Sequence, residues 1–183
     1  MNRSLPLLAL LLGGAAPALA PPVPFSAADA QVTFAYRVTL IPVRGTAHAL
    51  TATTSLDFGR LDATRATVRV DLSSLRTGIA LRDRHAREAL GAAEHPAAVF
   101  TLNRYQGPGT IAPGQTVQGE VSGTFSLRGV ARPVTAPVTL TRQEGRLSVQ
   151  TRLTVQPRDH GVNVRGADQT TTITASFTLV PGS

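Results

Sequence analysis

The chain contains no cysteine and no tryptophan, and every basic side chain is an arginine. Without a thiol there is no disulfide, no cysteine nucleophile, no thiolate metal ligand and no lipidated cysteine to anchor the protein to a membrane. Stability must come from an apolar core. Aromatic residues make up only 4% of the chain, too few to serve as stacking platforms for nucleic-acid bases, and the arginines stand singly (Arg37, Arg44, Arg60, Arg65, Arg69). A nucleic-acid partner is therefore not expected. The formal net charge of +7 reads as a solvated basic surface with some attraction for anionic lipid heads, sufficient for transient contact with a membrane surface.

Long hydrophobic runs are also scarce. The exception, Leu5 to Leu19, follows Arg3, is interrupted by Pro6, Gly13, Gly14 and Pro17, and ends at the small residues Ala18 and Ala20. It is short for a membrane span, which takes about 20 residues. A charged start, an apolar middle and a small-residue end have the form of a secretory signal cut after Ala20. The expectation is a leader over residues 1–20 and a single domain over 21–183, periplasmic or secreted, whose formal charge falls from +7 to +6 with the loss of Arg3. A mature chain of this size buries roughly 70% of its unfolded surface, so a sizeable core is available.

Beyond Pro24 the chain becomes a succession of alternating segments. Val32, Phe34, Tyr36, Val38 and Leu40 recur at every second residue, as do Val68, Val70 and Leu72, and then Val117, Val121, Phe125 and Leu127 with Gly119 and Gly123 in phase. Val134 to Leu140, Leu147 to Val155 and Ile173 to Leu179 repeat the pattern, and Thr46 to Phe58 and Ala98 to Tyr105 complete about eight strands. Turn residues separate them at Gly59, Pro108-Gly109, Pro113-Gly114, Arg128-Gly129, Glu144-Gly145 and from Pro157 to Asp168. One segment, Leu81 to Ala93, has helical periodicity, with Arg84 and Glu88 placed to pair at i,i+4.

This pattern predicts an all-β fold, a single eight-stranded antiparallel barrel with one short helix. Such a barrel is just wide enough to be filled by side chains or to hold one ligand. Small in-facing residues favour a cavity, and Gly119 and Gly123 mark either space for an occupant or a sharp bend.

Three stretches carry a family resemblance. Thr77-Gly78 with Arg82-Asp83-Arg84-His85, then His95-Pro96 and Phe100, is similar to the first signature of the YceI-like family of polyisoprenoid-binding proteins. Gly119, Gly123 and Phe125 to Val130, running into Arg132-Pro133-Val134, resembles the second, and Arg158-Asp159-His160-Gly161-Val162 the third. Ala30-Gln31 stands where the family carries His-Ser, and Ala89-Leu90 where it carries Phe-Phe. The resemblance implies a lipocalin-like barrel, export to the periplasm and an isoprenoid chain in a central tunnel. A lipocalin proper is disfavoured by the missing tryptophan.

Catalytic and metal chemistry find little footing. His48, His85, His95 and His160 lack the close pairing of a metal site, and no Gly-x-Ser-x-Gly elbow is present. No cofactor and no enzymatic activity are expected. The in-phase residues Phe34, Tyr36, Phe100, Val121, Gly123, Phe125 and Phe177 are the candidate apolar lining. Arg82, Arg84 and Arg158 are candidates for a phosphate-bearing head group, because the guanidinium fork matches phosphate, although Arg82 and Asp83 equally suit the start of a helix.

About twenty buried isoprenoid carbons offer on the order of 16 kcal/mol before ordering costs. Polar contacts would therefore set head-group choice rather than affinity, leaving quinone, polyprenol and prenyl phosphate open. The expected function is an exported carrier or storage protein for an isoprenoid-type lipid. The alternatives are a filled barrel with a structural or adhesive role and, third, an enzyme acting on a hydrophobic substrate. The expected partner is the lipid; a membrane surface in passing and a second copy in a homodimer are candidates, with the oligomeric state left open by the sequence.

Overall fold

The computed structural model describes residues 23–182; the leader expected over 1–20 lies outside them. Alternating apolar and polar residues form nine strands: β1 (Val23–Val38), β2 (Ile41–Ala47), β3 (Leu50–Leu56), β4 (Arg65–Asp71), β5 (Ala97–Gln106), β6 (Thr116–Leu127), β7 (Val130–Gln143), β8 (Arg146–Val155) and β9 (Thr171–Pro181). One helix, α1 (Ala80–Ala89), lies between β4 and β5. Strands β1 and β3 to β9 pair in antiparallel order and β9 returns to β1, which closes the expected eight-stranded barrel; β2 pairs with β1 outside this ring.

Closure depends on β1. Its first residues pair with β3, from Val23 opposite Leu56 to Ser26 opposite Thr53, and its last with β2, from Val32 opposite Ala47 to Val38 opposite Ile41. Its other edge follows β9 from Phe25 to Ala35, with a register shift between Ala28 and Gln31 where Asp29 adopts φ 51°. A bulge of this kind bends a strand and increases its twist, which lets β1 leave β3 for β2 without leaving β9.

The sequence pattern joins Thr46 to Phe58 in one strand, whereas the chain ends β2 at Ala47 and begins β3 at Leu50. Strand β2 is hidden in the sequence by Pro42 and Gly45, which read as strand breakers. Both are tolerated because β2 lies at an edge, where proline has no ladder bond to lose, and because the Phe34 ring lies over Gly45 directly opposite. Helix α1 is likewise shorter than the periodic stretch to Ala93: Leu90 caps it and Gly91, at φ 63°, turns the chain away.

The main core cluster occupies the barrel interior, and a smaller one, Leu72, Phe125, Leu127, Val155 and Val162, lies towards α1 with Ala89 and Leu90 against it. The opposite end is covered by the β3–β4 and β5–β6 connections. There the Leu61 amide donates to the Gly109 carbonyl at 2.8 Å, the Ile111 amide donates to the Phe58 carbonyl at 3.0 Å, and Leu61 and Ile111 are each only 2% exposed. Arg142 ties the cover down, donating to the Ile111 carbonyl at 2.8 Å with its guanidinium 4.0 Å from the centre of the Phe58 ring.

The glycines of β6 leave no room for an occupant. A β-carbon on Gly123 would collide with the Thr101 carbonyl oxygen and come within 2.7 Å of the Phe100 ring; one on Gly119 would come within 2.6 Å of the Tyr105 ring. Gly123 therefore does not line the cavity: it is the seat of Phe100, as Gly119 is of Tyr105, beside the irregularity in β5 between Leu102 and Arg104. Gly123→Ala should destabilise the fold by roughly 1–3 kcal/mol, the cost of overpacking, read as a lower urea midpoint. A stabilisation of about 0.4–1 kcal/mol, as for an unhindered glycine, would contradict this account.

Candidate functional site: an apolar cavity within the barrel

The in-facing residues of the ring border a cavity of about 160 Å³. Phe100, Val121, Phe125 and Phe177 border it, as their alternation predicts, alongside residues of β3, β4 and β7 to β9 such as Leu50, Val68, Val138, Val149 and Leu179. Among the described residues, the polar side chains on its wall are Thr54, Thr64, Tyr105 and Thr151. Sequence reasoning missed these hydroxyls, although Thr54 and Tyr105 are in-facing and buried. Burial raises the Tyr105 phenol above its ordinary pKa, so at neutral pH it is an un-ionised O–H group.

Phe34 and Tyr36 lie elsewhere. They share the phase of Val32, which does reach the barrel cavity, but border a second cavity of about 140 Å³ between α1, the end of β1 and the segment that precedes β9. Its other walls include Ala86, Leu90, Val162 and Val164. The two rings stack with centroids 6.3 Å apart. Burial raises the Tyr36 phenol pKa, while the nearby Arg82 guanidinium acts in the opposite direction.

None of the three candidate arginines borders the barrel cavity. Arg82 is committed to the loop before α1: its Nε donates to the Thr77 hydroxyl at 2.8 Å and its Nη2 to the Thr77 carbonyl at 2.7 Å. Asp83 completes this cluster, accepting from the Thr77 amide at 2.6 Å and the Thr77 hydroxyl at 2.5 Å. Arg84 faces Glu88 at 3.8 Å, with both side chains mostly exposed, a pair whose contribution is about 0.3–0.5 kcal/mol. Arg158 is exposed and borders the second cavity beside Asp168.

The motif residues interlock at the α1 end. Arg128 donates to the Gly161 carbonyl at 2.6 Å, and the His160 ring, 2% exposed, donates from Nδ1 to the Val130 carbonyl at 2.7 Å while meeting Phe125 edge-on at 5.5 Å. His95 packs against Gly129. A carbonyl can only accept, so this bond fixes the His160 tautomer. Among the described residues, no group of three or more histidine or acidic side chains is arranged to hold a metal ion, and no helix is long and apolar enough to cross a membrane.

These features define a lipocalin-like antiparallel barrel around an apolar chamber. The YceI-like domain family matches residues 25–180, and the chain belongs to that family. No curated protein sequence matches it. Among solved structures it is similar to Burkholderia cenocepacia BcnA, with a TM-score of 0.70, 16% identity, and coverage of 81% of this chain and 95% of that one. A polyisoprenoid binding domain from Saccharophagus degradans, implicated in plant cell wall breakdown, has a TM-score of 0.70 at 19% identity, covering 88% of this chain and 99% of that one. The Campylobacter jejuni YceI protein matches at 0.58 and 15%, covering 77% and 85%. At these identities the likeness is one of fold.

The Thr77 cluster makes acid stability testable. The Thr77 hydroxyl bond holds the Asp83 carboxyl below the ordinary carboxylate range, opposed by burial and helped by the Thr77 amide, Arg76 and Arg87. A carboxylate depressed in the folded state contributes stability above its unfolded pKa of about 4, and this is lost as pH falls from there through the folded value. Asp83→Asn should therefore unfold more easily at neutral pH and show a shallower loss of stability on acidification, measured by urea midpoints across pH. Parallel wild-type and variant profiles would refute the assignment.

Proposed function

We propose that the protein is a carrier or store for a long isoprenoid-type lipid held in the barrel cavity, and that it acts by binding rather than by catalysis. The observation that carries this reading is the chamber itself: lined along the length of the barrel by apolar side chains and, among the described residues, bordered by only four polar side chains and by no charged one. Protein interiors are normally packed as densely as organic crystals, so an unfilled apolar cavity of about 160 Å³ favours an occupant over the filled, structural barrel. The polyisoprenoid binding domain of Saccharophagus degradans, which has the same fold, supports an isoprenoid as that occupant.

Export to the periplasm or beyond rests on the leader pattern of residues 1–20. Leu40 and Ile41 at the β1–β2 turn are 86% and 65% exposed, and with Arg37 and Arg44 nearby they suit brief contact with an anionic membrane surface during loading.

Native mass spectrometry of the protein taken from its own envelope should show a stoichiometric adduct that denaturation releases as an isoprenoid. A bare polypeptide mass under gentle conditions would overturn the reading. Val121→Phe, which extends a ring into the cavity, should lower retention of a long-chain isoprenoid at least about tenfold, or about 1.4 kcal/mol, while leaving the strand content seen by circular dichroism intact. Unchanged retention would place the lipid elsewhere.

A further inference from the structure

We propose that Thr54, Thr64 and Tyr105 form a polar subsite at one end of the barrel cavity, which receives the uncharged, oxygen-bearing end of the lipid: an alcohol, a phenol or a quinone carbonyl. The inference rests on the lipid-binding reading and adds where the head group sits and which class it belongs to. Of the four hydroxyl side chains on the cavity wall, Thr151 is satisfied, donating to the Pro137 carbonyl at 2.8 Å. The hydroxyls of Thr54, Thr64 and Tyr105 are buried and meet no hydrogen-bond partner among the described residues. Thr54 and Tyr105 are only 3% and 6% exposed as whole residues.

Burying a hydroxyl without a partner is costly, and valine or phenylalanine would fill the same space without that cost. All three residues lie towards the covered end of the barrel, with the Tyr105 hydroxyl beside Gly107. Thr54 pairs with Ala66, two residues beyond Thr64, and Tyr105 lies near the end of β5, where the chain enters the cover containing Ile111. Each hydroxyl can donate and accept, which matches an alcohol, a phenol or a quinone oxygen. The hydrocarbon chain then runs from this end past Val121 towards Phe100 and Phe125.

Charge excludes the phosphate-bearing alternative from this chamber. Among the described residues, no arginine, histidine or acidic residue borders the cavity, so a phosphate would be buried without a counter-charge. Arg142 belongs to the same end and its Nε is also unpartnered, but the residue is held by the Ile111 carbonyl and the Phe58 ring and does not border the cavity.

The test compares three probes of one chain length on delipidated protein: a polyprenol, the corresponding hydrocarbon and the polyprenyl monophosphate. Wild type should bind the alcohol about tenfold more tightly than the hydrocarbon, equivalent to about 1.4 kcal/mol, and the phosphate no better than the hydrocarbon. The near-isosteric Thr54→Val, Tyr105→Phe double variant should lose that preference, while its lipid-free thermal midpoint equals or exceeds that of wild type. Tightest binding of the phosphate, a preference that survives in the variant, or a lower lipid-free midpoint, which would show the hydroxyls bonded within the fold, each overturns the subsite. Equal binding of alcohol and hydrocarbon overturns the subsite alone, whereas failure to bind any probe overturns the carrier reading with it.

Discussion

Closing an eight-stranded ring requires the first and last strands to meet, and here that requirement falls on β1. It pairs with β9 along most of its length while its other edge passes from β3 to β2. The change of partner is possible because the chain bends at the bulge beside Asp29. Everything inside depends on it, because only a closed ring has an interior. Phe25 and Val32 face the core on either side of the bulge, and Val32 reaches the cavity wall.

A second constraint is the pairing of rings with glycines. Phe34 over Gly45, Phe100 over Gly123 and Tyr105 over Gly119 each place an aromatic side chain where a neighbouring strand has no β-carbon. The glycines serve as seats for the rings, a role in keeping with glycine rescue in twisted sheets. With only six phenylalanines and two tyrosines in the chain, two of these seats tighten the β5–β6 wall of the barrel and the third fastens β2 to β1 outside the ring.

The ring strands were legible because side chains alternate strictly along a strand, and the same alternation correctly turned Phe100, Val121, Phe125 and Phe177 inward. Phase tells which side of a strand a residue occupies but not how far along the barrel it lies, so Phe34 and Tyr36, in step with Val32, border a different cavity. Strand β2 escaped notice because Pro42 and Gly45 are breakers everywhere except at an edge or under a ring. The hydroxyls of Thr54, Thr64 and Tyr105 were illegible for another reason: whether a hydroxyl has a partner is decided by neighbours from distant parts of the chain. The family motifs were recognisable, yet Thr77, Arg82, Asp83, Arg128 and His160 are engaged in holding the α1 end together, which spacing alone does not reveal.

The pairing of β1 with β9 also sets a timetable. It joins the segment around Phe25 to Ala35 with that from Ile173 to Pro181, nearly the greatest sequence separation the domain offers, and such contacts form slowly because a long loop must be ordered before they can stabilise anything. A nascent chain lacking its last strand has an open sheet instead of a chamber, with two unpaired edges and its apolar face in water. The barrel has an inside only once β9 has been made and has paired with β1.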